Sequence, residues 1–182
     1  KSLEKISNLG FFTNNGGISR GEYYSLNCNR NSVDKKNNVN KNIKTALANL
    51  NLGHKNLKLI NQIHSNKVLF VDDKNLKVEL YGDGLITKNK NIALGVLTAD
   101  CAPIFLFDSD KNYICCIHSG WKGSLLNIVR IGIKKFKSKN ISCNKIIAVI
   151  GPCLAFSKFE VDKNFKIQFI NDDSSYSKFF KY

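Results

Sequence analysis

The sequence predicts a single α/β domain, and two observations lead to that prediction: the length of the chain and its alternation of strand-like and helix-like segments. The chain has 182 residues, of which 43% are hydrophobic and 10% aromatic. This is enough apolar material for one core and too little for two domains of ordinary size. Short runs of β-branched and aromatic residues alternate with segments that repeat apolar residues at helical spacing. We therefore expect one α/β domain.

Three segments have the pattern of helices. Residues 39–50 (VNKNIKTALANL) repeat apolar residues at helical spacing, and Gly53 is a suitable stop. Residues 124–136 (SLLNIVRIGIKKF) do the same on one face, with Ser124 placed as the N-cap. Asp162 is placed to cap a last helix over residues 163–169 (KNFKIQF).

Eight runs have the composition of strands. They are rich in β-branched and aromatic residues, and Gly, Asp, Asn or Pro separates them. These runs are GFFT (10–13), LKLINQIH (57–64), KVLFV (67–71), GLIT (84–87), IALGVL (92–97), IFLFD (104–108), YICCIH (113–118) and KIIAVIGP (145–152).

The formal net charge of +14 does not by itself indicate a nucleic-acid partner. Only Arg20, Arg30 and Arg130 are arginines among the 28 basic residues, and the lysines are scattered, without a basic helix or a motif that interleaves aromatic and basic residues. We expect no dedicated nucleic-acid face.

Targeting and redox signals favour a cytoplasmic protein. The first residues, KSLEKISNL, have no apolar core of a secretory signal. The longest apolar run, residues 92–107, contains Asp100 and Pro103, and it is too short and too interrupted to span a membrane. Six cysteines at irregular spacing, without a CxxC pair, favour reduced thiols.

Three potential metal ligands stand at the ends of predicted strands. His64 and His118 each close one, and Cys101 follows another. Histidine and cysteine are zinc ligands, and three protein ligands leave a fourth position for water, as in a catalytic site. Taken singly, each residue is more often a structural one, so spacing alone leaves both interpretations open.

The neighbours of these residues have alternative roles. Asp100 is placed to orient a ligand or carry a proton, or simply to cap the preceding turn. Trp121 would stack on a base or fill core, and Lys122 would contact an anion or remain solvated. Cys116 lies two residues before His118 on the same face of a strand, where it is a reserve ligand or a small core residue.

Five sequence blocks resemble the laccase-domain family (YfiH-type, also called multicopper polyphenol oxidase-like proteins). The blocks are NQIHSNKV, GDGLIT, ALGVLTADCAPIFLFD, IHSGWKG and IGPCLAFSKFEV, and GFFTNNGGIS followed by SLN fits the amino-terminal signature. The resemblance implies mixed β-sheets flanked by helices, in one domain over residues 1–182. Because family members continue beyond the segment that matches FFKY, it also implies that this domain lacks its C-terminal part.

The resemblance further implies a zinc site and an activity. The zinc ligands of the Q-x-H, T-A-D-C and H-x-G-W motifs correspond to His64, Cys101 and His118. The family is associated with phosphorolysis of adenosine, inosine and methylthioadenosine and with deamination of adenosine. We therefore expect Zn²⁺ as cofactor, purine nucleosides and phosphate as partners, and catalytic roles for Asp100, Cys101 and His118.

Two positions depart from the family pattern. Family members usually have Arg after F-T and Arg in G-W-R-G, where this chain has Asn14 and Lys122. The loss of one guanidinium and the replacement of another by an ammonium remove bidentate recognition of phosphate. We expect Lys122, Trp121 and Asn14 to contact the substrate, with weaker phosphorolysis.

Other functions are excluded or kept as alternatives. A multicopper oxidase binds a mononuclear copper and a trinuclear cluster, mostly through histidines, and the three histidines of this chain cannot supply both. A cysteine hydrolase with Cys101 as nucleophile and His118 or His64 as base is one alternative. A non-catalytic zinc-binding or nucleotide-binding protein is another. The sequence does not predict the oligomeric state.

Overall fold

The described part of the chain forms four helices and seven strands, and six of the strands follow one another without an intervening α-helix. The structure is a computed structural model that describes residues 8–110 and 112–180. In chain order the elements are α1 (Lys36–Asn49), β1 (Asn56–Leu59), β2 (Val68–Phe70), β3 (Gly84–Thr87), β4 (Ile92–Gly95), β5 (Ala102–Asp108), β6 (Ile114–Ser119), α2 (Trp121–Leu125), α3 (Ile128–Lys137), β7 (Ile146–Ile150) and α4 (Lys163–Asp172). Short 3₁₀ turns occupy Gly21–Tyr23, Cys143–Lys145, Phe156–Lys158 and Ser174–Phe179.

The strands form two sheets. β1 and β4 pair in parallel, and the other strands make a five-stranded sheet in the order β2-β3-β6-β5-β7. Within that sheet β2 and β3 are parallel, whereas β3–β6, β6–β5 and β5–β7 are antiparallel. The predicted α/β class with mixed sheets is confirmed.

Two apolar clusters hold the elements together. In the larger one α3 packs on the five-stranded sheet, with Ile128 and Phe136 against Leu106 and Ile117. The smaller cluster joins the two sheets and consists of Ile60, Val71, Leu85 and Ile92. Burial of these side chains is the main stabilising contribution to the fold.

The predicted strand over residues 10–13 is wrong. This segment has no regular structure, and no strand pairing with it exists among residues 8–110 and 112–180. Side chains hold it instead: the Phe11 ring lies 5.4 Å from the Phe105 ring. A Cβ at Gly151 would lie only 2.1 Å from Phe11 Cε1, so the segment packs directly on the backbone after β7.

The helix predicted from Ser124 onward is divided into two. Ser124 lies within α2 and does not cap a helix; its hydroxyl hydrogen-bonds that of Ser119 at 2.9 Å. Asn127 has a left-handed backbone, with φ 58°, which asparagine tolerates and which ends α2 before Ile128 begins α3.

The remaining predicted helices and strands are confirmed, although their first and last residues differ from the predicted ones. α1 ends at Asn49, before Gly53. Asp162 caps α4 as predicted, because its carboxylate accepts the Phe165 N–H at 2.7 Å. No helix in residues 8–110 and 112–180 is long and apolar enough to cross a membrane.

The packing of α3 predicts a large effect of truncating Phe136. Its side chain is fully buried, so we expect Phe136→Ala to lower the free energy of unfolding by about 3–5 kcal/mol. Phe179, which is 59% exposed, gives a matched control, and Phe179→Ala should cost less than about 1 kcal/mol. Urea unfolding measures both, and equal losses would contradict this account of the core.

Candidate metal centre

Three neighbouring strands bring the site together at one end of the five-stranded sheet. In the β5–β6 pair, Pro103 lies opposite His118, so Cys101, just before β5, reaches the end of β6. The β3–β6 register places Asp83, just before β3, beside His118. The His118 N–H donates to the Asp83 carbonyl oxygen at 2.7 Å. Residues that are far apart in sequence therefore meet because of strand register.

His64, Cys101 and His118 form one group. Their potential ligand atoms lie within 4.8 Å of one another. The two imidazole rings are 4.9 Å apart and nearly perpendicular, at 89°. His118 is buried, Cys101 is half-buried and His64 is exposed, so the group is open to solvent on one side. The structure thus brings the three predicted ligands together, and their role as metal ligands stays a prediction.

Two of the three residues lie elsewhere than the strand pattern predicts. His64 does not end a strand, because β1 ends at Leu59; it lies in a loop with a left-handed backbone, φ 54°. Cys101 precedes β5 rather than following a strand directly. His118 does lie at the end of β6, as predicted.

Asp83 is the residue of this site that sequence reasoning missed. Its carboxylate is fully buried, and Oδ1 accepts the His64 N–H at 3.0 Å and lies 2.8 Å from His118 Nδ1. Oδ2 accepts the Ser65 N–H at 2.5 Å and the Ser65 hydroxyl at 2.8 Å. An acid immediately before a buried strand, in the block GDGLIT, was the available signal.

Asp83 is ionised despite its burial. Burial by itself raises the pKa of this carboxyl, but the hydrogen bonds from Ser65, His118 and the His64 N–H outweigh it, so the pKa lies below its usual value. The site therefore contains a buried negative charge next to two imidazoles.

Gly120 leaves room for the three side chains. A Cβ at this position would lie 3.0 Å from His64 Cδ2 and 3.1 Å from Cys101 Sγ. The φ of Gly120 is −76°, which any residue adopts. Space, not backbone freedom, is therefore what requires glycine here.

The donor set fits a divalent cation such as zinc. Two imidazoles and one thiol are zinc donors, and a carboxylate that hydrogen-bonds a ligating histidine is the usual outer partner of such a site. Without a cation, burial and then the negative charges of Asp100 and Asp83 raise the pKa of the Cys101 thiol. A cation bound to the sulfur would reverse that effect, because it stabilises the thiolate.

Asp100 and Cys116 lie in opposite surroundings, one exposed and the other buried. Asp100 is exposed, and its carbonyl oxygen accepts the Leu154 N–H at 2.9 Å. Its catalytic role stays a prediction. Cys116 is fully buried, which raises the pKa of its thiol to about 12, and it is not part of the ligand group. The small core residue is the interpretation that the structure favours for Cys116.

Trp121 and Lys122 lie next to the site in sequence but contact other groups. The Trp121 ring packs 5.0 Å from that of Phe165 and 6.2 Å from that of Phe169, both in α4. Lys122 is exposed, with Nζ 5.3 Å from the centroid of the Trp121 ring. Trp121 therefore links α4 to the end of β6, and Lys122 lies over its ring.

Asn14 belongs to a different part of the surface. Its carbonyl oxygen accepts the N–H groups of Ser25 and Leu26. Asn14 lines an apolar cleft of about 1110 Å³, together with residues of α1, the β1–β4 pair and β5. His64, Cys101 and His118 do not line that cleft. A substrate contact by Asn14 stays a prediction.

The comparison with known families identifies this architecture. The family of multi-copper polyphenol oxidoreductase laccases matches residues 8–182. The chain belongs to this family. The resemblance inferred from the five sequence blocks is thereby confirmed.

Relatives in this family carry the name purine nucleoside phosphorylase. One from Rickettsia conorii is 38% identical over 122 residues, which are 67% of this chain and 50% of the relative. Another from Bacteroides thetaiotaomicron is 31% identical over 172 residues, 88% of this chain and 64% of the relative. The chain thus spans only about half to two thirds of the length of these relatives.

Solved structures of the family have the same fold. YfiH of Bacillus licheniformis has a TM-score of 0.79 at 27% identity, over 87% of this chain and 62% of its own. A Neisseria meningitidis protein also has a TM-score of 0.79, at 25% identity, over 91% of this chain and 65% of its own. The mixed α/β fold is shared over nearly all of the described chain.

The tight space at Gly120 predicts a selective effect of adding one methyl group. In Gly120→Ala the side chains of His64 and Cys101 must move by a few tenths of an ångström, so we expect the affinity for added Zn²⁺ to fall on the order of tenfold, about 1.4 kcal/mol. At Gly53 a Cβ meets nothing within 4 Å, and Gly53→Ala is the control that should bind normally. Chelator competition measures both, and unchanged binding by Gly120→Ala would contradict the spatial argument.

Proposed function

We propose that this protein is a zinc-dependent purine nucleoside enzyme that catalyses phosphorolysis of adenosine, inosine and methylthioadenosine and deamination of adenosine. The observation that carries the proposal is the convergence of His64, Cys101 and His118, with ligand atoms within 4.8 Å of one another beside a buried carboxylate. The name of the relatives, purine nucleoside phosphorylase, supports the substrate class. The shared fold supports transfer of the site.

Different residues around the site have different roles in such an enzyme. Zinc held by His64, Cys101 and His118 would supply Lewis-acid chemistry to this site. His118 is oriented by Asp83, and Gly120 keeps the approach to His64 and Cys101 open. The exposed carboxylate of Asp100, next to Cys101, is available to take up and deliver protons.

The two reactions use these groups differently. In deamination a water adds to C6 of adenine, Asp100 accepts its proton and returns a proton to the departing nitrogen, and ammonia leaves. In phosphorolysis a phosphate oxygen attacks C1′ of the ribose, the bond to the base breaks, and the ammonium of Lys122 holds the phosphate. The aromatic face of Trp121, which carries Lys122 above it, offers the base a stacking surface.

A cysteine hydrolase is the second candidate function, because Asp83, His118 and Cys101 lie in the order of an acid-histidine-nucleophile triad. Two features favour the metal instead. Burial and the charges of Asp100 and Asp83 raise the pKa of the Cys101 thiol, whereas a nucleophilic cysteine needs a lowered one. His64 also has no role in a triad, whereas it completes a metal site. A non-catalytic zinc-binding protein would share the site and lack turnover.

Substitution of Cys101 separates these functions. We expect the wild type to contain one zinc per chain and to act on adenosine, and Cys101→Ser to lose both while it stays folded, because the metal stabilises the thiolate. Metal analysis and product detection with and without phosphate provide the measurements. Cys143→Ser, at an exposed cysteine, is the control.

Three other outcomes would each contradict the proposal. Stoichiometric zinc retained in Cys101→Ser would exclude Cys101 as a ligand. Lost turnover with retained metal, together with selective thiol labelling of Cys101 in the wild type, would establish the hydrolase. A zinc-loaded wild type that binds purines without turnover would establish the non-catalytic function.

The two departures from the family pattern predict a gain of phosphate recognition. We expect Asn14→Arg combined with Lys122→Arg to lower the KM for phosphate roughly tenfold, because a guanidinium binds two phosphate oxygens at once. Asn37→Arg with Lys134→Arg makes the same change of charge at exposed positions of α1 and α3 and controls for general attraction of anions. An unchanged KM for phosphate in the variant with Asn14→Arg and Lys122→Arg would contradict the proposed contacts of these two positions with phosphate.

A further inference from the structure

We infer that Asp83 is the positioning residue of the metal centre: its carboxylate fixes the orientation of His118 and, at the same time, the loop that carries His64. The inference rests on the proposed metal site and adds to it a residue that binds neither the cation nor the substrate. Removal of this carboxylate should therefore weaken cation binding although all three ligands remain.

The first support is the way in which Asp83 joins two elements. Oδ1 accepts the His64 N–H and contacts His118 Nδ1, so a single oxygen bridges the loop after β1 and the end of β6. Oδ2 accepts both donors of Ser65 and fastens the same loop a second time. The carbonyl oxygen of Asp83 accepts the His118 N–H. The relative position of the two histidines thus depends on one residue.

The second support is the backbone of His64. Its φ of 54° is left-handed, which is uncommon for a residue other than glycine. The consecutive N–H groups of His64 and Ser65 both point at the Asp83 carboxylate. These two hydrogen bonds stabilise the conformation that turns the His64 side chain toward Cys101 and His118.

The third support is the protonation pattern of His118. A carboxylate only accepts hydrogen bonds, so the Nδ1 atom of His118 that faces it carries the proton. The other ring nitrogen, Nε2, is then free of hydrogen and can donate its lone pair to a cation. Asp83 therefore selects the tautomer that a metal ligand needs.

The fourth support is the charge of the site. Among residues 8–110 and 112–180, the ion pairs of the structure give Asp83 no lysine or arginine partner, and His118 is its only one. A divalent cation held by the neighbouring group of His64, Cys101 and His118 would offset the cost of burying this carboxylate.

The chain offers a matched control for this residue. Asp108 is also a fully buried aspartate, and its carboxylate accepts the N–H groups of Asp110, Asn112 and Tyr113 in the turn between β5 and β6. That turn lies at the opposite end of these strands from Cys101 and His118. Asp108→Asn therefore replaces one of the two oxygens that accept these backbone N–H groups, at a buried position that does not contact the three ligands.

The experiment compares the Zn²⁺ affinity of the wild type, Asp83→Asn and Asp108→Asn by competition with a chromophoric chelator. We expect Asp83→Asn to bind zinc about 10–100-fold more weakly and Asp108→Asn to bind with wild-type affinity, although both variants should unfold at lower urea concentrations than the wild type. Equal affinity of Asp83→Asn and wild type, or an equal loss in Asp108→Asn, would overturn the inference.

A second measurement tests the inference even where Asp83→Asn does not fold. Nitrogen-15 spectra of the imidazoles in the metal-free wild type, which has only three histidines, should show His118 protonated at Nδ1. A neutral His118 protonated at Nε2 would overturn the positioning role, because its Nδ1 would then have no proton for the carboxylate.

The inference and the proposed activity fail in different ways. A wild type that binds zinc tightly, an Asp83→Asn variant that loses affinity, and no turnover of adenosine or inosine would support the inference and refute the activity. If the wild type turns over nucleosides but the wild type and Asp83→Asn bind zinc with equal affinity, the activity is supported and the inference is refuted.

Discussion

The antiparallel register of β3, β6 and β5 is the constraint on which the site depends. Asp83 directly precedes β3, Cys101 directly precedes β5 and His118 lies near the end of β6. The pairing places these three residues side by side at one end of the sheet. A shift of one residue in either pair would turn His118 or its partner to the other face. The buried cluster around Ile117 and Phe136 holds that register, so the apolar core and the polar site are parts of one arrangement.

The two buried aspartates show how one side chain serves two purposes. Within residues 8–110 and 112–180, the hydrogen bonds to the Asp108 carboxylate come from backbone N–H groups, and they close the turn between β5 and β6. Asp83 accepts backbone N–H groups too, but it also contacts an imidazole that has two neighbouring ligands. The difference lies in what surrounds the carboxylate, since a buried charge beside a histidine, a second histidine and a thiol favours a cation.

The C-terminal helix α4 reaches the site through aromatic contacts. Trp121, three residues after His118, packs against Phe165 and Phe169, so the position of its ring depends on a segment more than 40 residues later in the chain. The exposed Lys122 lies over the same ring. The orientation of the Trp121 ring is therefore fixed by its packing against α4.

The sequence by itself determined the α/β class, most of the strands, the Asp162 cap and the potential ligands His64, Cys101 and His118. Each of these features is encoded by a local pattern or by a family block. Only the tertiary structure decided the place of Asp83, since its importance comes from partners at positions 64, 65 and 118 that strand register assembles. It also decided that residues 10–13 form no strand and that Asn127 divides a helix. Both outcomes depend on tertiary packing, because distant segments decide whether a strand is paired and where a helix ends. A local sequence pattern does not specify those contacts.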